Sequence, residues 1–461
     1  MPVHFKDISE EMKEEPMESI ADEGESSDES MESENEDENQ EKAESQVYLP
    51  GQALQEGEEL TVDKSAYRLL HHAQSGAPCL SFDVIPDDLG GSRESYPLSM
   101  YIVAGTQAAR THVNNLLVMK MSNLHASKHS EDSESESSDS EDEDDDRKPV
   151  MSVAPIKHQG CINRVRCTKL GETILAASWS ELGRVNVWNL QEQLNAVENP
   201  SLLAQYRNKC DKASASIKPL YEFKGHLSEG FGLDWSRTEP GTLASGDCKG
   251  NIHIWRVDSS STSWHVDQRS YNSHAPHSVE DLQWSPNEKN VLASCSVDKS
   301  IKIWDTRASP QNACMLTASD VHTTDVNVIS WNPKECQFMV SGGDDGLLHV
   351  WDLRQLGSSG SSPVATFKQH TAPVTTVEWH PTEATVFASG GADDQIAQWD
   401  LSVEADHTEE PQGVLAKLPP QLLFIHQGQS DIKELHWHPQ CPGTMISTAH
   451  SGFNIFRTIS V

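Results

Sequence analysis

No stretch of the sequence is apolar enough to span a bilayer, and its N-terminus is too charged for a secretory leader. A membrane partner is therefore not expected. The nine cysteines are odd in number and scattered from Cys79 to Cys441, without a Cys-x-x-Cys pair. That argues against a disulfide framework and for a soluble protein in a reducing, intracellular compartment. Neither a nucleophile motif nor a glycine-rich phosphate loop occurs, so neither enzyme chemistry nor a cofactor is expected. Basic charge is scarce: 35 Lys and Arg face 71 Asp and Glu, a net charge of −36 over 461 residues. Such a chain repels duplex nucleic acid and attracts basic partners.

The acid is unevenly spread. Residues 1–46 hold 18 acids against Lys6, Lys13 and Lys42. Residues 130–148 hold 11 against Arg147 and Lys148. Both tracts are almost free of aromatics and cannot bury enough apolar surface to fold, so a disordered tail (1–46) and a disordered loop (125–150) are expected. Long carboxylate runs screen Lys/Arg repulsion, which suits a shield for a basic client. Ser26, Ser33, Ser133, Ser138 and Ser140 each have Glu three residues on, the pattern of an acidophilic kinase site.

What the chain has in abundance is repetition. Residues Ser294 to Arg307 read Ser-Cys-Ser-Val-Asp-Lys-Ser-Ile-Lys-Ile-Trp-Asp-Thr-Arg, and Ser341 to Arg354 and Ser389 to Asp400 repeat the pattern. Trp255, Trp304, Trp351 and Trp399 step by 49, 47 and 48 residues. Trp235, Trp284, Trp331 and Trp379 sit 20 residues upstream of them. His226, His274, His322 and His370 lie 29 or 30 residues before each outer Trp, and Ser245, Ser294, Ser341 and Ser389 ten before. Asp298, Asp345 and Asp393 lie six before; the first copy has Lys249 there and Asp247 two residues earlier. The period fits a four-stranded unit. Ile301, Ile303 and Leu348, Val350 alternate with the period of a strand, after Asp-rich turns. An indole N–H, an imidazole, a hydroxyl and a carboxylate buried together satisfy one another.

These registers resemble the buried tetrad of the WD-repeat family. The resemblance implies an all-β, seven-bladed WD-repeat β-propeller over residues 80–461. Segments Leu80–Ile85, Met100–Gly105 and Leu116–Met121 form a degenerate first blade, and His158 to Asn189 the second. Four regular blades follow, and the seventh begins at His426 and carries Phe456 where Trp would stand. Insertions at 191–221, 258–273, 355–363 and 402–420 are expected between blades. Residues 63–74 read as a helix capped by Asp63, with Ala66, Tyr67, Leu70 and Ala73 on one face, within an N-terminal segment 47–79. With so many histidines in the repeat, they read as structural. His436 and His438 flank Trp437 but lack an acid or Cys cluster at metal spacing, so no metal site is expected.

Local stretches narrow the family. The helix with Ala77-Pro78-Cys79-Leu80-Ser81-Phe82 resembles the N-terminal segment of the retinoblastoma-binding histone chaperones. Leu418-Pro-Pro-Gln-Leu-Leu-Phe-Ile-His426 resembles their double-proline loop. In that family the two clamp a histone helix on the propeller side. The resemblance implies a client groove of Tyr67, Leu70, Pro419, Pro420 and Leu422, rimmed by Glu409 and Glu410. It also implies a top channel at Asn163, Arg164, Glu229, Phe231 and Glu280. Departures at Gln107, Cys161, Pro373 and Thr375 favour the side groove over the channel. The acidic tracts, the Pro-Pro segment and the terminus Gly452 to Val461 are similar to a branch of this family acting in nucleolar ribosome assembly. That likeness implies a nuclear and nucleolar chaperone that escorts a basic large-subunit ribosomal protein and binds histones.

An alternative is a substrate receptor of a cullin-RING ubiquitin ligase. Its feature is Trp-Asp-x-Arg, present at Trp304 to Arg307 and Trp351 to Arg354, where Arg307 and Arg354 would dock a ligase adaptor. A ligase receptor has no need of acidic tracts, which discriminates the two.

Overall fold

Each regular repeat folds as its alternation dictates. Short β-branched and aromatic runs, separated by Asp/Gly/Ser turns, pair antiparallel into four-stranded sheets. A computed structural model of the chain describes residues 3–4, 48, 60–127, 147–212, 217–258, 263–358, 361–404 and 418–461. Seven sheets form seven blades, and that of blade one gains a short fifth strand, Val3–His4, paired with Val150–Lys157. Their innermost strands run Cys79–Ile85, Ile162–Leu170, Gly232–Trp235, Val279–Trp284, Val326–Trp331, Val374–Trp379 and Ile432–Trp437. Each neighbours the next, and the seventh returns to the first, so the ring is closed around a central channel. The apolar cores lie between successive blades; Trp179, Trp255, Trp304 and Trp399 are among the largest fully buried side chains.

The tetrads form in all four regular blades. In blade five, Trp351 Nε1 donates to Ser341 Oγ at 2.9 Å, His322 Nε2 lies 2.8 Å from the same hydroxyl, and His322 Nδ1 lies 3.0 Å from Asp345. Blades four and six repeat this through Ser294 and Ser389. In blade three the carboxylate is Asp247, 3.1 Å from His226, so the displaced acid of that copy still reaches its imidazole. Burial holds the imidazoles of His226, His274 and His322 below their ordinary range, His226 at about 4, and their Asp partners oppose it only in part. A neutral ring fits the geometry: Nδ1–H donates to the carboxylate, and Nε2 accepts from the serine.

The expected helix over 63–74 is not formed. Lys64–Ala66 is a single 3-10 turn, and Tyr67–Ala73 is a strand. It pairs antiparallel with Gly452–Thr458, Leu70 opposite Phe456, and becomes the outer strand of blade seven. The sequence carries both periods. Leu69 and Ala73 are buried with Tyr67, as alternation requires, while Leu70 is only half-buried. The unpaired edge of Gly452–Thr458, far away in sequence, decides between them.

The insertions are also placed differently. The segment 258–273 contains the outer strand of blade three, Trp264–Val266. Those at 191–221, 355–363 and 402–420 lie within a blade, between its third and outer strands, because the outer Trp stands on the third strand rather than the last. Residues 125–149 do the same in blade one, between Asn115–Leu124 and Val150–Lys157. The insertion of blade two folds into two helices, Gln191–Val197 and Pro200–Asp211, packed on the outer strand of blade one. Antiparallel strands send these third-to-fourth connections to one face. The loops that start each inner strand emerge on the other.

Candidate functional site

Alternation puts two positions of every inner strand on one face of its blade, three residues and one residue before the inner Trp. The nearer set is Asp83, Arg166, Asp234, Gln283, Ser330, Glu378 and His436. Several of these tie their blade to the next. Asp83 accepts from Cys167 N–H at 2.7 Å, Asp234 from Trp284 N–H at 2.7 Å, Gln283 from Trp331 N–H at 2.7 Å, and Glu378 from Trp437 N–H at 2.9 Å. The inner Trp ladder answers: Trp235, Trp284, Trp379 and Trp437 donate their indole N–H to a carbonyl of the preceding blade.

The farther set holds Arg164 of blade two and Glu434 of blade seven, which meet beside the inner strand of blade one. Arg164 Nη1 and Arg166 Nη2 both donate to Glu434 Oε1 at 2.8 Å, and Glu434 Oε2 accepts from Phe82 N–H at 2.8 Å. Burial would neutralise Glu434, but Arg166, His436 and Arg164 overcome it and hold the carboxyl well below its usual range. Burial likewise opposes charge on His436, yet Glu378 and Glu434 raise it to about 10. The channel floor is thus a closed network of paired charges. Asp234 differs: burial, only partly offset by the Trp284 N–H, pushes it up to about 7.

Above this floor the predicted channel residues come together. Asn163 Nδ2 donates to Glu229 Oε2 at 3.0 Å, and Arg164 Nε donates to the Phe231 carbonyl at 3.0 Å. Glu280 is half-buried; burial raises its pKa, while Arg164 lowers it and Asp325 adds to the rise. Glu229 is exposed. The turn that presents it packs so tightly that a β-carbon at Gly230 would collide with the Gly246 carbonyl. Cys161 departs from the expected acid, but Glu181 supplies a carboxylate there, accepting from Cys161 N–H at 2.9 Å. Thr375 donates to the Ile432 carbonyl at 2.7 Å, a blade-to-blade tie. The mouth is therefore an acidic rim over a neutralised floor. Arg166, Glu434 and Asp325 were not singled out from sequence, and His436 was weighed only as a metal ligand. The signal was present for Glu434, which precedes Trp437 by three residues as Asp281 precedes Trp284.

The side groove is not assembled in this way. Tyr67 is buried; its hydroxyl lies 2.8 Å from His426 Nδ1, and its ring meets Phe424 edge-on at 5.4 Å. Leu70 packs with the same cluster. Pro419 and Pro420 open a turn closed by Leu422 N–H to the Pro419 carbonyl, and Leu422 begins the outer strand of blade six. Without a helix there is no helical wall, and the ring of Tyr67 is spent on closing blade seven. Glu409, Glu410 and the five serines lie outside the described residues, as do nearly all of the two acidic tracts. His436 and His438 are not a pair: His436 Nδ1 binds Glu378, while His438 Nδ1 accepts from Gln440 and Cys441 N–H. Among the described residues no group of three His, Cys, Asp or Glu is placed to hold a metal. Arg307 and Arg354 are exposed, and each forks onto the Asp two residues before it, Asp305 and Asp352.

Seven antiparallel blades, four full tetrads and a polar channel define a WD-repeat propeller. The family model for the WD domain, G-beta repeat, matches residues 266–305, 310–352 and 361–400. The family model for the histone-binding protein RBBP4 matches residues 57–125, which hold the closing strand and three strands of blade one. The chain is 48% identical over 420 residues to glutamate-rich WD repeat-containing protein 1 of Dictyostelium discoideum, covering 88% of this chain and 83% of that protein. It is 40% identical over 422 residues to ribosome assembly protein rrb1 of Schizosaccharomyces pombe, covering 90% and 84%. It is 40% identical over 445 residues to protein heat stress tolerant DWD 1 of Arabidopsis thaliana, covering 90% and 92%. The chain belongs to the family of glutamate-rich WD repeat-containing proteins.

Proposed function

We propose that this protein is a binding scaffold rather than a catalyst. It acts as a nuclear and nucleolar chaperone for basic clients in large-subunit ribosome assembly, and it also binds histones. The name of the fission-yeast relative and the histone-binding model over residues 57–125 support this reading. The observation that carries it is the channel mouth. Glu229, Glu280 and Asp325 stand together where the inner strands begin, while the arginines beneath are already engaged by Glu434. An entering Lys or Arg finds carboxylates whose charge is not cancelled by the floor. The client is a basic large-subunit ribosomal protein or a histone; both present such side chains. The ligase-receptor alternative is not favoured by these relatives, and Arg307 and Arg354 are satisfied by their own neighbouring Asp.

Titrating a Lys/Arg-rich peptide into the full chain tests the site. Replacing Glu229→Gln together with Glu280→Gln should weaken binding roughly tenfold or more, equivalent to about 1.4 kcal/mol, and flatten its salt dependence. Unchanged affinity and salt slope in a folded double variant would remove the mouth from the mechanism.

A further inference from the structure

Leu227 is 83% exposed, more than any other large apolar residue among the described ones. It follows the tetrad His226 and precedes the mouth residue Glu229 by two positions. Leu182 at 47% and Val113 at 44% are also exposed. Single exposed leucines are ordinary. These three are not scattered: they sit on loops of blades one to three that are bonded to one another on the mouth face. Gly160 N–H donates to the Thr111 carbonyl at 3.0 Å, linking the Val113 loop to the start of blade two. Glu181 N–H donates to the Cys161 carbonyl at 3.0 Å, and Ser180 Oγ to the Gln159 carbonyl at 2.7 Å. Gly183, at a φ of +73°, lies so close to the next loop that a β-carbon would stand 3.2 Å from the Ser228 carbonyl. The Leu182 and Leu227 loops therefore move as one.

Around this apolar ridge the charge is mostly acidic. Glu181 lies beside Leu182, and Glu229 and Glu280 lie on the channel side. The exposed cations of these loops are Arg110 in blade one and Lys224 and Lys249 in blade three, and Lys224 pairs with Glu222 at 2.9 Å. A purely basic tail would satisfy the carboxylates and leave the ridge wet.

We infer that the ridge formed by Leu182 and Leu227, with Val113 at its far end, is a second subsite of the mouth. It seats an apolar side chain of a basic client segment while the neighbouring Lys or Arg residues engage Glu229 and Glu280. The inference rests on the channel-mouth reading and adds a requirement to it: the client segment is amphipathic, not merely basic. Charge then governs approach and its salt dependence, and the ridge governs retention.

Two synthetic peptides serve as probes, each rich in Lys and Arg and differing only in a central Leu-Leu pair replaced by Ser-Ser. Titrated into the full chain at low and high salt, the Leu peptide should bind about tenfold tighter, as burying leucine surface implies. High salt should weaken both and preserve their ratio. In the double variant Leu182→Ser, Leu227→Ser, which alters only exposed positions, the ratio should collapse toward one while the Ser peptide binds as before. Equal binding of the two peptides by the unaltered chain overturns the ridge and leaves the acidic mouth standing. A ratio that survives in the double variant also overturns it. Binding of neither peptide at low salt overturns the mouth, and the ridge with it.

Discussion

Blades three to six and blade seven close their sheets by different means. In a regular blade the serine, imidazole, carboxylate and indole come from about thirty consecutive residues, so the network is local. In blade seven His426 stacks on Phe456 at 4.0 Å, Asn454 Nδ2 lies 3.0 Å from His426 Nε2, and the other ring nitrogen meets Tyr67. Ser447 donates to Gln429 instead of serving an indole. Tyr67 is 359 residues from His426. The regular blades are held by short-range hydrogen bonding. The seventh is held by a long-range contact whose loop-closure entropy is met only once the ring is complete.

The largest effect is therefore expected at Tyr67. Tyr67→Ala removes edge contacts with Phe424, His426 and Phe456 and strands a buried imidazole. A loss of about 3–5 kcal/mol is expected for a buried aromatic truncated to alanine. Ser341→Ala removes one hydroxyl that serves both Trp351 and His322, and about 1–3 kcal/mol should follow. Chemical denaturation of both variants, read at the same pH, orders them. If Ser341→Ala costs as much as Tyr67→Ala, closure is no more critical than any tetrad, and the contrast between the blades fails.

This contrast also separates what sequence makes legible from what it does not. The tetrads are readable because their partners recur at fixed offsets. Even the displaced Asp247 of blade three can be anticipated from its copy. Residues 63–74 are not readable in this way. Tyr67, Leu70 and Ala73 satisfy a helical stripe, while Tyr67, Leu69 and Ala73 fit a strand. Local pattern holds no vote between them, because the deciding partner is the Gly452–Thr458 edge. The side groove drawn from that helix falls for the same reason. Leu70→Asp is therefore expected to disturb blade seven rather than spare the fold. The channel was half legible. Asn163, Arg164, Glu229, Phe231 and Glu280 were placed by likeness, whereas the Glu434 clasp needs strands of blades two and seven that meet only once blade one stands between them.

Acid should sharpen the comparison with a smaller effect. His226 titrates at about 4 in the fold, lowered by burial, and His426 of blade seven at about 3. The unfolded chain takes up those protons near the ordinary imidazole value of about 6.5. Stability is thus full above that value and is lost as pH falls toward 4, in regular and closing blades alike. Asp234 works the other way. Its folded value near 7 exceeds its unfolded one, so its contribution is present at low pH and is lost as pH rises through 7. Asp234→Asn should therefore raise the melting temperature above pH 7 relative to the unaltered chain and change it little below pH 4. A uniform shift at every pH would show that the carboxyl titrates alike in the folded and unfolded chain.

The smallest effect on folding, and a large one on binding, is expected from the acidic tracts. Removing residues 1–46 and 130–146 takes out 29 acids and three lysines and, from the blades, the two-residue strand Val3–His4 at the edge of blade one. The second tract joins Leu124 to Val150, so its ends are anchored on the face away from the channel mouth. Its effect on a client at the mouth is expected to be electrostatic, through a field screened within about 8–10 Å at physiological salt. The folded chain should melt within about 0.5 kcal/mol of the original, as surface changes do. Binding of a basic peptide should weaken at low salt and lose much of its salt dependence. At high salt, where the tracts are already screened, the truncated and full chains should converge on the affinity of the mouth alone. A truncated chain that binds equally at every salt concentration would assign all recognition to Glu229, Glu280 and their neighbours, and would leave the tracts to keep the chain soluble.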